Sequence, residues 1–211
     1  MKNIALFDID YTLISCDSFI LFVFFLIQKN PLKIIYFPFL FFVSILRVFK
    51  LISLDKFKSY WLIFINNFTK EKLDSLSKEF VEKHILKRIK KESVEEIKTL
   101  KEKGYLIILA TASFDFYIKY FVEHLPKVDY YFATKIVTKN DKATPKIEGK
   151  NCKGKEKIRR ILEIIPKEQI KKDNSFGYSD SKTDLPFLEL VEKFNLIDKK
   201  QWKIITQIST N

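Results

Sequence analysis

The stretch Phe7-Asp8-Ile9-Asp10-Tyr11-Thr12 directly follows a short apolar run, Ile4-Ala5-Leu6-Phe7, in this 211-residue chain. An apolar run of this length predicts a buried strand, here over residues 3–7. Two carboxylates that leave the end of a buried strand are costly unless a cation or a reaction uses them. The stretch therefore predicts the first strand of a sheet and a functional site at its end.

A second pair of acids lies far along the chain, in Gly177-Tyr178-Ser179-Asp180-Ser181-Lys182-Thr183-Asp184. In an open α/β sheet, ligands bind beyond the carboxyl ends of the strands. Each polar residue at such a place is, taken alone, more often a turn residue, a helix cap or part of a solvated helix face. Four such places occur in order, however, and they hold Asp8 and Asp10, Thr111 and Ser113, Lys153 and Lys157, and Asp180 and Asp184. Their joint occurrence favours a phosphoryl-transfer site.

These residue types suit the hydrolysis of a phosphate ester. An aspartate can attack phosphorus and form an aspartyl-phosphate that water later cleaves. A second carboxylate can protonate the leaving oxygen and then deprotonate the water. Magnesium offsets the repulsion between an anionic nucleophile and an anionic phosphate, and it prefers carboxylate and carbonyl oxygens as ligands. A hydroxyl and an ammonium group would hold the remaining phosphate oxygens.

Strand and helix patterns alternate along the rest of the chain. Residues 13–92 contain no glycine and have helical patterns, and Ser93-Val94-Glu95-Glu96 predicts a capping box for a helix that ends at Gly104. The other predicted elements are strands at 105–110, 130–132, 136–137, 175–178 and 194–197, and helices at 116–121 and 155–165. This alternation predicts an α/β protein with a parallel sheet.

The ordered motifs resemble the haloacid dehalogenase superfamily of phosphatases, in its phosphoserine-phosphatase-like branch. The superfamily motif Asp-x-Asp-x-Thr matches residues 8–12, although Tyr11 stands where the family usually has glycine. The resemblance implies that Asp8 is the nucleophile and Asp10 the general acid and base. It also implies a Rossmann-like parallel sheet with helices on both faces, formed by residues 1–12 and 93–211, and an inserted all-helical cap at 13–92.

The same resemblance assigns the ligands of the phosphate and of the metal. Thr111 is the expected phosphate-binding hydroxyl, with Ser113 the less favoured choice. The pattern Cys152-x-Gly154-x-x-Lys157 selects Lys157 as the phosphate-binding ammonium, with Lys153 as the alternative. The expected cofactor is Mg²⁺, and its expected ligands are Asp8, Asp10 (also through its carbonyl oxygen), Asp180 and Asp184.

The composition narrows the possible partners. Lys and Arg outnumber Asp and Glu by 38 to 26, so the net charge is +12. Such a surface attracts nucleic acid, anionic lipid or phosphorylated metabolites. The aromatic residues are not interleaved with basic ones, and nine of the 21 Phe lie between Phe19 and Phe49. This distribution disfavours nucleic acid and favours a membrane surface. The two cysteines have no paired spacing, which excludes a disulfide framework or a zinc site.

The Phe-rich region contains two apolar runs, Phe19–Ile27 and Ile34–Leu46, separated by a polar break. Neither run reaches the roughly 20 residues that a helix needs to span a bilayer. They predict an apolar hairpin at about residues 18–52 that enters one leaflet, and basic residues that flank it (Lys29, Lys33, Arg47, Lys50, Lys56 and Lys58). The alternative is a helical cap packed on itself or in a dimer.

The catalytic motifs and the hairpin together favour a phosphatase of anionic phospholipid. The segments Gln28–Leu32 and Gly177–Lys182 resemble those of bacterial enzymes that remove the terminal phosphate of phosphatidylglycerophosphate. The resemblance implies a place on the cytoplasmic face of the bacterial inner membrane. One alternative is a soluble cytoplasmic phosphatase of a small metabolite such as phosphoserine. Another is a membrane adaptor that kept the fold without catalysis.

Overall fold

The structure is a computed structural model that describes residues 1–209. Its strands are β1 (Lys2–Phe7), β2 (Leu106–Phe114), β3 (Tyr130–Thr134), β4 (Ile136–Lys139), β5 (Lys142–Ile147), β6 (Ile170–Ser179), β7 (Lys193–Ile197) and β8 (Ile204–Ser209). Its α-helices are α1 (Ser18–Lys29), α2 (Phe37–Val48), α3 (Leu54–Trp61), α4 (Lys70–Phe80), α5 (Lys91–Glu102), α6 (Asp115–Val122) and α7 (Lys155–Ile164). Short 3-10 and π turns connect several of them, among them Pro31–Tyr36 between α1 and α2.

A six-stranded sheet with the order β3-β2-β1-β6-β7-β8 forms the centre of the fold. All neighbouring strands are parallel except β7 and β8. Alternate residues of β1 enter two different apolar clusters, Ala5 and Phe7 in one and Ile4 and Leu6 in the other. A strand that is buried on both faces needs a continuous apolar sequence. The predicted α/β fold with a mostly parallel sheet between helices is therefore confirmed, while the antiparallel edge strand β8 was not predicted.

The helices α1 to α4 lie between β1 and the start of α5. The segment that leaves the sheet after β1 and the segment that returns to it before α5 lie side by side. They are joined by backbone hydrogen bonds, because the N–H of Ser15 donates to the Arg88 carbonyl and the N–H of Lys90 donates to the Leu13 carbonyl. The antiparallel hairpin β4–β5 stands apart from the central sheet and contacts the inserted helices through a bridge between Thr69 and Lys142. The division of the chain at residues 12 and 92 stays a prediction.

Helix α5 begins at Lys91 and not at the predicted capping box, so that prediction was wrong. The backbone bond between Lys90 and Leu13 fixes the chain one residue before the helix. Ser93 then lies inside the first turn, where it is buried and its hydroxyl donates to the Lys90 carbonyl at 2.7 Å. The predicted end of the helix agrees with the structure, since Gly104 follows it with φ +82°.

Candidate active site

The loop after β1 places the first pair of acids. The backbone N–H of Asp8 donates to the Tyr178 carbonyl on β6 at 2.9 Å. Tyr11 has φ +56°, a left-handed conformation that explains why glycine is the usual residue of the family at this position. The hydroxyl of Thr12 accepts a hydrogen bond from the N–H of Asp180 at 2.9 Å. Thr12 therefore fixes the first acidic loop against the second one.

Lys157 lies between two of the predicted acids. Its ammonium donates to Asp8 Oδ1 and to Asp184 Oδ2, each at 2.6 Å, and only 2% of its side chain is exposed. Burial lowers the pKa of Lys157, but the two carboxylates outweigh this effect and raise it above its ordinary value. Burial raises the pKa of Asp8 to about 7, and the charge of Lys157 opposes this rise. Lys157 is thus a permanent cation that two acids share.

Asp10 occupies a different environment. Its carboxylate accepts hydrogen bonds from the Ser113 hydroxyl and from the backbone N–H of Ser18, the latter at 3.1 Å. Burial raises the pKa of Asp10 to about 6, and the nearby charge of Asp17 contributes in the same direction. A carboxyl group that titrates near neutral pH suits both the gain and the loss of a proton.

The structure brings the predicted site residues to one cavity of about 180 Å³ at the carboxyl end of β1. The predicted residues that line it are Asp8, Asp10, Thr111, Lys153, Lys157, Asp180 and Asp184. Ser113 does not line the cavity, because its hydroxyl is engaged by Asp10 and Ser18. Of the two candidate lysines, Lys157 is buried among the acids and Lys153 is exposed at the rim.

The model of one protein family, haloacid dehalogenase-like hydrolase, matches residues 5–189 of this chain. The chain belongs to this family. The match extends from the first strand through both acidic motifs, and so it includes every residue of the cavity named above.

Curated relatives within the family resemble parts of the chain. It is 35% identical over 119 residues to a phosphoserine phosphatase of Methanocaldococcus jannaschii, a match that covers 54% of each protein. It is 30% identical over 95 residues to a phosphoserine phosphatase of Archaeoglobus fulgidus, which covers 45% of this chain and 27% of that relative. The chain therefore spans about half of the first relative and about a quarter of the second.

Solved structures confirm the fold. A Bordetella pertussis protein of unknown function has a TM-score of 0.79 at 21% identity, covering 92% of this chain and 89% of its own. A phospho-aspartyl intermediate analogue of phosphoserine phosphatase has a TM-score of 0.62 at 20% identity, covering 90% of this chain and 83% of its own. At these identities the likeness concerns the fold alone.

Members of this family that are phosphatases generally use Mg²⁺, and the cavity suits that ion. Asp184 Oδ1 is buried without a hydrogen-bond partner, although the other oxygen of the same carboxylate is fully engaged. A buried carboxylate oxygen without a partner is costly, and a hard cation would satisfy it. Within residues 1–209, no three His, Cys, Asp or Glu side chains are already gathered around one point. The backbone carbonyl of Asp10 and water would have to complete the coordination of the ion.

Lys58 lies next to the site, and the sequence did not reveal this position. It comes from α3, and its ammonium donates to the Ala112 carbonyl at 2.7 Å and to Asn151 Oδ1 at 3.1 Å. Burial lowers the pKa of Lys58 to about 8, and the negative charge of Asp10 opposes this decrease. Lys58 is one of the basic residues that flank the apolar hairpin in the sequence, but in the structure its side chain turns toward the strand end of β2. Lys56 and Lys58 lie two residues apart on α3 and therefore point to different faces of the helix, and only the tertiary structure shows which face meets the strand end of β2.

Lys90 is a second residue near the site whose position the sequence did not reveal. Its ammonium donates to the carbonyl oxygens of Tyr11 at 2.6 Å and of Asp198 at 2.7 Å, and the residue is buried. It therefore joins the acidic loop after β1 to the segment after β7. Lys199 in that segment lies 3.7 Å from Asp180 Oδ2. Only the contacts of the folded chain distinguish Lys90 from the other lysines around it.

We expect Lys90→Met to destabilise the protein, because two partly buried carbonyl oxygens lose their donor. The expected loss in the free energy of unfolding is about 1–3 kcal/mol. Urea unfolding measures it, with the exposed neighbour changed in Lys91→Met as the control. Equal stability of the two variants would contradict a role for Lys90 in holding the loop of Tyr11.

Proposed function

We propose that this chain hydrolyses phosphate monoesters through an aspartyl-phosphate formed on Asp8. The observation that carries the proposal is the arrangement of Asp8, Asp10 and Lys157 around one small cavity at the end of β1. Asp8 shares the ammonium of Lys157 with Asp184, whereas the carboxylate of Asp10 accepts from the Ser113 hydroxyl and from the backbone N–H of Ser18. Two acids with such different environments suit the two roles of nucleophile and proton carrier.

In the first step, a carboxylate oxygen of Asp8 attacks phosphorus and the bond from phosphorus to the ester oxygen breaks. Asp10 gives its proton to the leaving oxygen, so that the alcohol departs neutral. In the second step, Asp10 takes a proton from water, whose oxygen attacks the phosphoryl group and releases Asp8 and inorganic phosphate. The ammonium of Lys157 and the hydroxyl of Thr111 hold phosphate oxygens in both steps.

Mg²⁺ would be held by carboxylate oxygens of Asp8 and Asp180 and by the carbonyl of Asp10, with Asp184 as a further ligand or as a residue that positions water. When bound, the ion reduces the repulsion between the carboxylate of Asp8 and the phosphate. The helices of residues 13–92 would act as a cap that excludes water from the cavity and selects the substrate.

For the substrate, we propose the terminal phosphate of phosphatidylglycerophosphate, the activity of phosphatidylglycerophosphatase C. Two features support an anionic phospholipid. The net charge is +12, and the 3-10 turn and helix over Pro31–Val48 leave many large apolar side chains exposed. An apolar groove of about 340 Å³, lined by Phe39, Tyr60, Ile63 and Pro145 among others, lies beside α3 and offers room for part of an acyl chain. The corresponding place of action is the cytoplasmic face of the bacterial inner membrane.

The second candidate is a soluble cytoplasmic phosphatase of a small metabolite such as phosphoserine. The names of the two curated relatives favour it. The half-buried Lys58 beside the cavity could bind an anionic group of such a substrate as well as one of a lipid headgroup. A non-catalytic adaptor is disfavoured, because the full set of acids is retained in one cavity.

A panel of substrates tests the proposal. The purified chain is assayed with Mg²⁺ on phosphatidylglycerophosphate in mixed micelles, on phosphoserine and on p-nitrophenyl phosphate, with phosphate release as the readout. The expected result is that the lipid has the highest kcat/KM and that EDTA stops turnover. A kcat/KM for phosphoserine far above that for the lipid would select the soluble enzyme. If no member of the panel releases phosphate, the proposed phosphatase activity is refuted.

We expect Asp180→Asn to retain part of the activity but to require more magnesium. Asp180 is half-buried and burial raises its pKa, while Thr12 holds its backbone, so the amide should keep the loop in place. The apparent affinity for Mg²⁺ should fall by about tenfold or more. A magnesium titration of turnover measures this, with Asp173→Asn, an exposed residue of the preceding strand β6, as the control. An unchanged magnesium dependence would remove Asp180 from the set of ligands.

A further inference from the structure

The 3-10 turn Pro31–Tyr36, helix α2 and the residues just after it present a large exposed apolar surface. We call this the α2 surface. Its members are Leu32, Ile34, Ile35, Phe39, Phe41, Phe42, Ile45, Val48, Phe49 and Leu51. Phe41 is 69% exposed and Val48 is 77% exposed. Contiguous apolar surface of this extent on a soluble protein marks an interaction site.

Helix α2 is apolar on both of its sides, and only one side is used inside the protein. Leu40 and Val43 are buried against the inserted helices. Phe41, Ile45 and Val48 follow each other at helical spacing on the exposed side. The hydroxyl of Ser44, a polar group in the middle of the helix, donates to the Leu40 carbonyl at 2.8 Å. The helix can therefore enter an apolar medium without an unsatisfied polar side chain at its centre.

The charges around the α2 surface suit an anionic partner. Residues 31–51 contain no acid. Of the six basic residues that the sequence places beside the apolar hairpin, Lys50 and Lys56 are exposed at the end of the α2 surface. The other four already have partners within the chain: Lys29 pairs with Glu79 at the surface, Lys33 donates to the Phe64 carbonyl, Arg47 to the Ile52 carbonyl and Lys58 to the Ala112 carbonyl. The attraction to anionic lipid then comes from fewer residues than expected, together with the net charge of +12.

The connections of α2 decide how deeply it can enter a bilayer. By length and composition, Pro31–Val48 is the one helical segment among residues 1–209 that could cross a membrane, with a mean hydropathy of 1.7 and 11% of it buried. The helices on both sides of it are fixed to the same folded body. Ser18 at the start of α1 bonds to Ser113, and Lys58 of α3 bonds to the Ala112 carbonyl.

A crossing helix would leave its far end on the other side of the membrane. The chain would then have to return from Phe49 to the start of α3 at Leu54 through residues 49–53. Five extended residues reach at most about 18 Å. The hydrocarbon core of a bilayer is about 30 Å thick. The fold as described therefore permits insertion from one side and does not permit a span.

We propose that the α2 surface enters a single leaflet of an anionic bilayer and holds the enzyme there with its helix α2 in the interfacial plane. The inference rests on the proposed function in one respect, because an enzyme docked in this way would meet a lipid phosphate. Helix α3 links the two regions, since the ring of Tyr60 packs against Phe39 of the α2 surface at 5.6 Å between centroids and Lys58 lies beside the cavity.

Vesicle flotation tests the docking surface. The full chain is mixed with vesicles of phosphatidylcholine alone and of phosphatidylcholine with phosphatidylglycerol, and the bound fraction is measured. We expect binding to both, stronger to the anionic vesicles. The double variant Phe41→Gln with Val48→Gln should lower the bound fraction by at least about tenfold, since two apolar groups no longer enter the leaflet. The matched control is Ile204→Gln with Ile205→Gln on the edge strand β8, where the side chains are 47% and 58% exposed.

Three outcomes would overturn the proposal. The first is a native chain that stays unbound to both kinds of vesicle. The second is an equal loss of binding in both double variants. A third outcome is that sedimentation equilibrium without lipid shows a stable dimer that Phe41→Gln with Val48→Gln dissociates, in which case a second copy covers the surface. Thermal unfolding of each variant shows that a loss of binding is not a loss of fold.

Depth of insertion separates one leaflet from a span. Phe41→Trp is placed in vesicles whose acyl chains carry bromine either near the headgroups or near the bilayer centre, and the fluorescence of Trp61 and Trp202 in the native chain is subtracted. Strong quenching by the shallow bromine and weak quenching by the deep one is expected. The reverse order would refute docking in one leaflet.

The Asp8→Asn variant keeps failure of this inference distinct from failure of the proposed function. It should bind vesicles like the native chain, because Asp8 is remote in sequence from the α2 surface and lies in the cavity. A native chain that binds vesicles but releases phosphate from no ester of the panel would refute the proposed function alone. If the native chain hydrolyses p-nitrophenyl phosphate but does not bind vesicles, the proposed docking alone is refuted.

Discussion

Asp8→Asn is expected to lower turnover of every phosphate ester by roughly 10⁴-fold or more, the scale seen when a nucleophile is removed. The amide has nearly the same shape as the carboxylate, but it cannot attack phosphorus and carries no charge. The fold should persist, because the amide oxygen can still accept from Lys157 and because removal of one acid reduces its repulsion with Asp184. We expect the midpoint of thermal unfolding to stay close to that of the native chain or to rise.

Two measurements check this expectation. Phosphate release in saturating Mg²⁺ gives the loss of turnover, and acid quench followed by mass spectrometry locates the phosphoryl group. A phosphorylated peptide that contains Asp8 should be present in the native chain and absent in the variant. Asp141→Asn is the matched control, since Asp141 is exposed in the β4–β5 turn and its φ of +56° tolerates asparagine. Substantial turnover by Asp8→Asn would remove Asp8 as the nucleophile.

The central sheet could be predicted because its signals are local. The apolar residues of β1 are continuous, since both of their faces are buried, and the acids follow them directly. Parallel strands bring their carboxyl ends to one edge of the sheet. For this reason Asp8 and Asp180, far apart in the sequence, could be expected near each other, and the bond from Asp180 to Thr12 joins their loops.

Other features depend on contacts that no local pattern encodes. Thr111 and Ser113 have the same hydroxyl chemistry and lie two residues apart near the end of β2, but only Ser113 is bound to Asp10. The start of α5 is set by a backbone bond to Leu13, a residue on the other side of the inserted helices. Lys58 differs from Lys56 only in the direction in which α3 presents it. Each of these three features can be assigned only from the tertiary structure.

Lys157→Met is expected to have the largest effect on stability. Lys157 is the cation between Asp8 and Asp184, and the variant leaves two buried carboxylates without it. Removal of one partner from a buried ion pair typically costs 3–5 kcal/mol, so we expect the free energy of unfolding at neutral pH in EDTA to fall by about that amount. Magnesium should restore part of the loss, because it supplies positive charge to the same acids. Turnover should also fall strongly, since a phosphate oxygen loses its ammonium partner.

Urea unfolding in EDTA and in Mg²⁺ measures the effect of Lys157→Met, and Lys155→Met on the exposed side of α7 is the control, with an expected change within about 0.5 kcal/mol. A double-mutant cycle tests the coupling between the two residues, and its double variant combines Lys157→Met with Asp184→Asn. Because Asp184 Oδ1 already lacks a partner, neutralising this carboxylate should recover part of the stability that Lys157→Met loses. If the double variant were less stable than Lys157→Met by the full cost of Asp184→Asn alone, the two residues would not be coupled. The cavity would then be held together by its backbone bonds and not by the shared cation.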